Sequence, residues 1–247
     1  MNSAGVCNSV YCAFKRFWSG NSMRLSVWTL DHNIVRSEHE QRLKPVDTSG
    51  LLKHCHCKHC GMGNGINKVL PDLYLGNFKD ARDREQLARN NITHILSIHD
   101  TAAPILQEMT YLCIPAADSP TQNLIQHFEK SIRFMHESRL KGEGCLVHCL
   151  AGVSRSVTLV VAYLMTVTSL GWEEALNAVK VARPCASPNS GFQNQLQEFE
   201  TSQLQQFRKW LKEEYKENPF SDEEEVRNLL AQMSSSSPPE DHDFQHN

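Results

Sequence analysis

Cys145-Leu146-Val147-His148-Cys149-Leu150-Ala151-Gly152-Val153-Ser154-Arg155-Ser156-Val157 is the stretch that decides how this 247-residue chain folds. Residues 145–148 are a short apolar run of the kind that forms a buried strand. From Val157 to Val167 the chain is hydrophobic on nearly all sides, which predicts a central helix rather than a surface one. The residues between them therefore form a loop that leaves a strand and opens a helix. The first N–H groups of a helix lack partners and point toward the positive end of its dipole, so such a loop favours an anion. Gly152 permits the backbone to turn several amides toward one centre.

Working outward, strand-like segments alternate with helical ones. Val69-Leu70 and Leu73–Gly76 read as a strand pair around Pro71-Asp72, 83–90 as a short helix, and 92–98 as a β-branched strand. Tyr111–Ile114 is a further strand, stopped by Pro115. Ile125, Phe128, Ile132 and Met135 share one helical face, and Gly142 and Gly144 end that helix. Two more helices are expected near 173–182 and 193–215. The alternation predicts an α/β domain with a mostly parallel sheet flanked by helices, placed at 62–216. Residues 1–61 show no sustained period and are expected to be a disordered extension. Residues 217–247 form an acidic, Ser-rich tail in which Ser221-Asp222-Glu223-Glu224 starts a short helix running to about Gln232.

Composition narrows the function classes. Lys and Arg total 25 against 28 Asp and Glu, a net charge of -3, which offers no support for a nucleic-acid partner. Residues 1–61 carry eight basic and four acidic side chains, so the excess of acid lies in the remainder. No apolar run is long enough to span a bilayer. No secretory signal is visible near the start, so nine cysteines read as thiols in a reducing compartment.

The loop also carries chemistry. Arg155 supplies a planar fork that can grip two phosphate oxygens. Cys149, at the base of the anion cradle built by Leu150, Ala151, Gly152, Val153, Ser154 and Arg155, lies in the same positive field, so its thiolate is favoured. A thiolate facing a phosphate monoester can attack phosphorus and form a cysteinyl phosphate. The leaving oxygen then needs a proton. Asp118, in the loop Pro115-Ala116-Ala117-Asp118-Ser119-Pro120 after a strand, is the candidate acid, since parallel strands open their loops on one sheet edge. Ser156 can hydrogen-bond the thiolate and assist its departure. His148 is read as orienting the loop through backbone hydrogen bonds rather than as a base. No metal or other cofactor is needed.

With His148, Cys149, Gly152, Arg155 and Ser156 in place, the chain resembles the cysteine-dependent protein tyrosine phosphatases. Pro115-Ala116-Ala117-Asp118 and Pro188-Asn189-Ser190-Gly191-Phe192 with Gln195-Leu196 are similar to elements of the small dual-specificity subfamily. The resemblance covers about 62–216 and implies hydrolysis of phosphotyrosine, phosphoserine and phosphothreonine on phosphoprotein substrates, with mitogen-activated kinase pathways as the implied setting. A phosphoinositide or RNA 5′-phosphate phosphatase on the same fold is the enzymatic alternative. It would favour Lys inside the cradle, where positions 150, 151, 153 and 154 hold Leu, Ala, Val and Ser. A non-catalytic phosphoprotein-binding scaffold would be marked by loss of Cys149, Arg155 or Asp118, and all three are present.

Three features stand outside this core. Cys185 is by default a free thiol and is the candidate partner of an oxidised Cys149. His54–Cys60 offers three thiols and three imidazoles, but the run is contiguous and lacks the second ligand pair of a structural zinc site. Met62-Gly63-Asn64-Gly65 resembles the acylated start of related phosphatases, so translation from Met62 would expose Gly63 to myristoylation, with Asn67 departing from the preferred Ser or Thr. Weak membrane association at the inner face of the plasma membrane follows in that case. Otherwise a cytoplasmic and nuclear location is expected, and the sequence leaves the oligomeric state open.

Overall fold

A computed structural model describes residues 15–19, 22–26, 65–216 and 218–234. The chain divides into two compact units, Met1–His54 and Cys55–Asn247. In the first, strands β1 (Lys15–Ser19) and β2 (Ser22–Ser26) pair antiparallel. The rest of the extension that the sequence places at 1–61, with Gly63 and the His54–Cys60 run, lies outside the described residues.

The second unit is built on five strands: β3 (Asn67–Leu70), β4 (Leu73–Gly76), β5 (Ile92–Ile98), β6 (Thr110–Ile114) and β7 (Gly144–His148). Their order is β3-β4-β7-β5-β6, antiparallel only at the β3–β4 hairpin. Asp72 makes that hairpin turn at φ 59°, a left-handed conformation that Asp tolerates better than most residues. Register lines up Tyr74, Leu146, Ile95 and Tyr111 across one face, against α1 (Arg84–Arg89). The alternate row of Leu75, Val147, Leu96 and Leu112 faces the larger core. Both faces of β7 are covered, which is why its five residues are all buried.

The larger core is organised by α3 (Arg155–Val167), buried at every position from 155 to 166. Around it pack α2 (Phe128–Leu140), α4 (Trp172–Ala182), α5 (Ser190–Ser202) and α6 (Leu204–Tyr215). The single helix expected over 193–215 is thus two. Thr201 and Ser202 donate their hydroxyls back to the carbonyls of Gln197 and Glu198, and Gln203 leaves the helical region at φ -130°. Such back-bonding competes with the helical ladder. The break lets Phe192, Leu196 and Phe199 on one helix and Leu204 and Leu211 on the next all reach the core.

The tail helix forms as α7 (Asp222–Ser234), but the domain boundary drawn at 216 does not hold, because α7 packs against α4, α3 and β3. Arg139 grips Asp222 with two bonds of 2.9 and 2.7 Å, and both side chains are almost fully buried. The same guanidinium donates to Tyr163 Oη and the Pro71 carbonyl and lies 4.1 Å from the Phe220 ring centre. Removing one partner of a buried pair leaves the other charge stranded. Asp222→Ala should therefore cost about 3–5 kcal/mol in urea unfolding, and Arg139→Met with Asp222→Leu should recover much of it. A loss below about 1 kcal/mol for the single change would show that α7 contributes little to the fold.

Candidate active site

Four strand ends converge on one edge of the sheet. Gly76 and Ser97 pair with His148, and Ile98 with Ile114, so the loops after β4, β5, β6 and β7 emerge together. The loop after β7 holds Cys149 and is shaped from outside. Its carbonyls are taken by other elements: Leu150 O by Phe78 N at 3.2 Å, Gly152 O by Arg183 Nε at 2.7 Å, and Val153 O by Ser187 N at 2.8 Å. With the carbonyls turned outward, amides are free to face in. Gly152 has φ 68°, and a Cβ there would stand 2.4 Å from the Gly76 carbonyl oxygen, so only glycine fits.

Cys149 is 1% exposed. Its Sγ receives the Gly152 amide at 3.2 Å and the Ser156 hydroxyl at 3.3 Å. Burial pushes the thiol up, but hydrogen bonds from the Ser156 hydroxyl and amide, the Arg155 charge and the Val153 amide outweigh it. The net shift is below the ordinary thiol value. Cys145, on β7 four residues earlier, is pushed up by burial to about 12 despite a hydrogen bond from Ser138 and the charge of Arg139. What differs at Cys149 is the number of donors the loop supplies.

Arg155 is held by Asp100 Oδ2 at 3.0 Å and the Ala116 carbonyl at 2.9 Å, both through Nη1. Its Nε is buried and makes no hydrogen bond, with Asp118 Oδ2 at an ion-pair distance of 3.5 Å. A buried donor without an acceptor is costly, and a phosphate oxygen is the acceptor this cradle fits. Asp118 is brought to the loop as the sequence predicts. Its Oδ1 accepts from Ser154 Oγ and Asn189 Nδ2, each at 2.8 Å. Ser154 stands at the N-cap of α3 yet makes no side-chain cap, because its hydroxyl serves Asp118 instead.

Asn189 caps α5 by accepting from Phe192 N, and its own amide donates to Ser154 Oγ. A Cβ on Gly191 would stand 2.1 Å from the Pro120 carbonyl oxygen, so α5 abuts the Asp118 loop. Gln195 closes the brace, accepting from Leu124 N and donating to the Gln122 carbonyl. The segment 188–196 is therefore the support of the Asp118 loop.

His148 Nδ1 lies 3.1 Å from the Cys149 carbonyl oxygen, in keeping with an orienting role. Burial, with help from His99, pushes its imidazole down to about 4, so the ring is neutral beneath the loop. Cys185 is a partly exposed free thiol between α4 and α5, in the segment whose Ser187 holds the loop. Among the described residues no group of His, Cys, Asp and Glu is arranged to hold a metal ion. Asp100, Arg183 and Phe78 were not singled out from the sequence, and Asn189 entered only within the 188–192 element that resembles the dual-specificity subfamily. Asn189 carried a signal, a polar residue after Pro188 at a helix start. Asp100 and Arg183 read as ordinary charges until the fold brings them in.

The family model for the dual specificity phosphatase catalytic domain matches residues 73–202. Dual specificity protein phosphatase 22-B of Danio rerio is 83% identical over 186 residues, 75% of this chain and the whole of that relative. Dual specificity protein phosphatase 22 of Homo sapiens is 67% identical over 170 residues, 69% of this chain and 92% of the relative. Among solved structures, that of DUSP15 superposes with a TM-score of 0.59 at 53% identity, covering 65% of this chain and 99% of its own.

Proposed function

The chain belongs to the dual-specificity protein phosphatases, enzymes of phosphotyrosine and of phosphoserine and phosphothreonine, and on that premise we propose how its own residues carry the reaction. The observation that carries the proposal is the buried, multiply hydrogen-bonded Sγ of Cys149, 3.3 Å from Ser156 Oγ in a loop whose Arg155 Nε lacks an acceptor. The Cys149 thiolate attacks phosphorus, an S–P bond forms and the P–O bond to the substrate breaks. Arg155 and the inward amides of 150–155 hold the equatorial oxygens as charge builds on them. Asp118 gives its proton to the leaving oxygen. In the second step Asp118 takes a proton from water, the water oxygen displaces sulfur, and Ser156 donates to the departing thiolate.

Oδ1 of Asp118 already accepts two hydrogen bonds, from Ser154 and Asn189. Oδ2 takes neither of these bonds and faces Arg155 Nε at 3.5 Å. The cradle holds no lysine at 150, 151, 153 or 154, so a highly charged lipid headgroup or RNA triphosphate is not favoured.

We further propose kinases of mitogen-activated pathways among the substrates, with Cys185 as the partner of an oxidised Cys149. The relative from Danio rerio matches over its whole length with 186 residues, which leaves 61 of the 247, the number that precedes Met62. This supports Met62 as a second start and Gly63 as an acylated N-terminus. One myristoyl chain binds membranes at only about 10⁴ M⁻¹, so the enzyme would exchange between the inner face of the plasma membrane and the cytoplasm or nucleus.

Cys149→Ser should abolish turnover of para-nitrophenyl phosphate in the presence of EDTA. Asp118→Asn should slow it by about 10²–10⁴-fold for alkyl phosphates and much less for acidic phenols. Appreciable turnover by Cys149→Ser, or an equal loss across leaving groups in Asp118→Asn, contradicts these roles. Intact mass of the endogenous protein tests the N-terminus: a myristoylated Gly63 is expected, and only unacylated chains beginning at Met1 would refute it.

A further inference from the structure

The loop that leaves β4 runs along the catalytic loop and is rigid. Asn77 Oδ1 accepts from Lys79 N at 2.7 Å and Asp80 N at 3.0 Å. Buried Asp80 in turn accepts from Asn77 N at 2.8 Å and Gly65 N at 3.0 Å. Phe78, between them, is fastened by its amide to the Leu150 carbonyl, one residue beyond Cys149. Its ring stands edge-on to His99 with centroids 5.5 Å apart, and 6.3 Å from His148 beneath the loop. Phe78 is therefore a fixed wall at the mouth of the site.

Arg82 ends the 3-10 turn Asp80–Arg82, and its guanidinium lies 4.7 Å from the centre of the Phe78 ring. Contact with an aromatic face holds a guanidinium in place while leaving its N–H donors for other partners. Neighbouring Arg84 and Arg89 are neutralised by Glu108 and Glu85. Arg82 takes part in no ion pair among the described residues, nor does exposed Lys79 beside Phe78. Leu150, 48% exposed, adds apolar surface to the same rim. Asp100 and Asp118, the acidic residues of the neighbouring loops, are each engaged with Arg155. The Phe78 segment thus brings two cations without an ion-pair partner among the described residues beside the loop that holds Cys149.

Resting on the phosphatase reading above, we infer that Arg82, braced on Phe78, is a specificity-determining residue that binds an anionic side chain one or two positions from the phosphorylated residue of a substrate peptide. An extended peptide advances about 3.4 Å per residue, so a flanking side chain reaches the rim when the phosphate is in the cradle. The partner chemistry is a carboxylate or a second phosphate, both of which a guanidinium grips with paired N–H bonds.

The test uses the full chain and phosphotyrosine peptides that differ only at the flanking positions, carrying Glu, phosphoserine or Gln, with products assigned by mass. The quantity read is the ratio of kcat/KM for the anionic peptide to that for the Gln peptide, in which any general loss of activity cancels. In the unaltered chain the ratio should be about fivefold in favour of the anion, the size expected of a partly exposed ion pair. It should fall to about one in Arg82→Ala, drop below one in Arg82→Glu and be partly kept in Arg82→Lys. A preference confined to phosphoserine assigns the contact to a second phosphate, and one shared by Glu assigns it to anions in general. Turnover of the Gln peptide with a ratio near one in the unaltered chain, or a ratio indifferent to Arg82→Glu, overturns the inference and leaves the phosphatase chemistry standing. Failure to hydrolyse any of the peptides would strike the phosphatase reading instead. The ratio is then read from peptide affinities, where the same absence of an Arg82 effect is decisive.

Discussion

The loop after β7 is arranged around a sulfur held out of water, with donors that favour its thiolate. Cys149 is buried, and burial by itself disfavours the thiolate. Donors converging on Sγ and the charge of Arg155 reverse that preference. The donors point inward because three carbonyls of the loop, those of Leu150, Gly152 and Val153, are held by something distant in sequence, namely the β4 loop, Arg183 and the segment before α5. A fold this ordered is what allows a loop of small residues to keep one conformation.

The acid side of the site follows the same logic. Asp118 sits on a loop that has no helix or strand of its own to fix it. It is fixed through Ser154 of the loop after β7 and Asn189 at the cap of α5, so the Cys149 loop and Asp118 share their supports. Arg155 then links both to Asp100 at the end of β5. Further away, α7 is locked by Arg139 to Tyr163 of α3 and to the turn after β3, which secures the helix whose N-terminus makes the cradle.

Much of this was legible in the sequence. The parallel sheet, the buried strand at 145–148 and the central helix after it follow from apolar runs of the right length. Cys149, Arg155, Ser156 and Asp118 follow from what phosphate chemistry needs at a helix start and a neighbouring strand end. The supports were harder to see. The break at Gln203 depends on hydroxyl back-bonding that leaves no periodic trace. The boundary at 216 failed because composition turns acidic and polar there, whereas α7 is kept in the fold by buried Val226, by the bonds of Ser169 to Glu223 and by the buried ion pair of Arg139 with Asp222, 83 residues apart. Arg183 and Arg82 look like surface charges in one dimension. Only the fold shows one buried under Gly152 and the other laid on an aromatic ring at the site's mouth.

The central claim is that the loop, and not exposure, makes Cys149 a thiolate. It is tested most directly by following alkylation of Cys149 with iodoacetate against pH, reading the modified peptide by mass spectrometry so that the other eight cysteines do not interfere. The rate should titrate with a midpoint well below the value of a free thiol, about 8.5, and the midpoint should rise in Ser156→Ala. A midpoint at or above the free-thiol value, or one that Ser156→Ala leaves unmoved, would contradict the account.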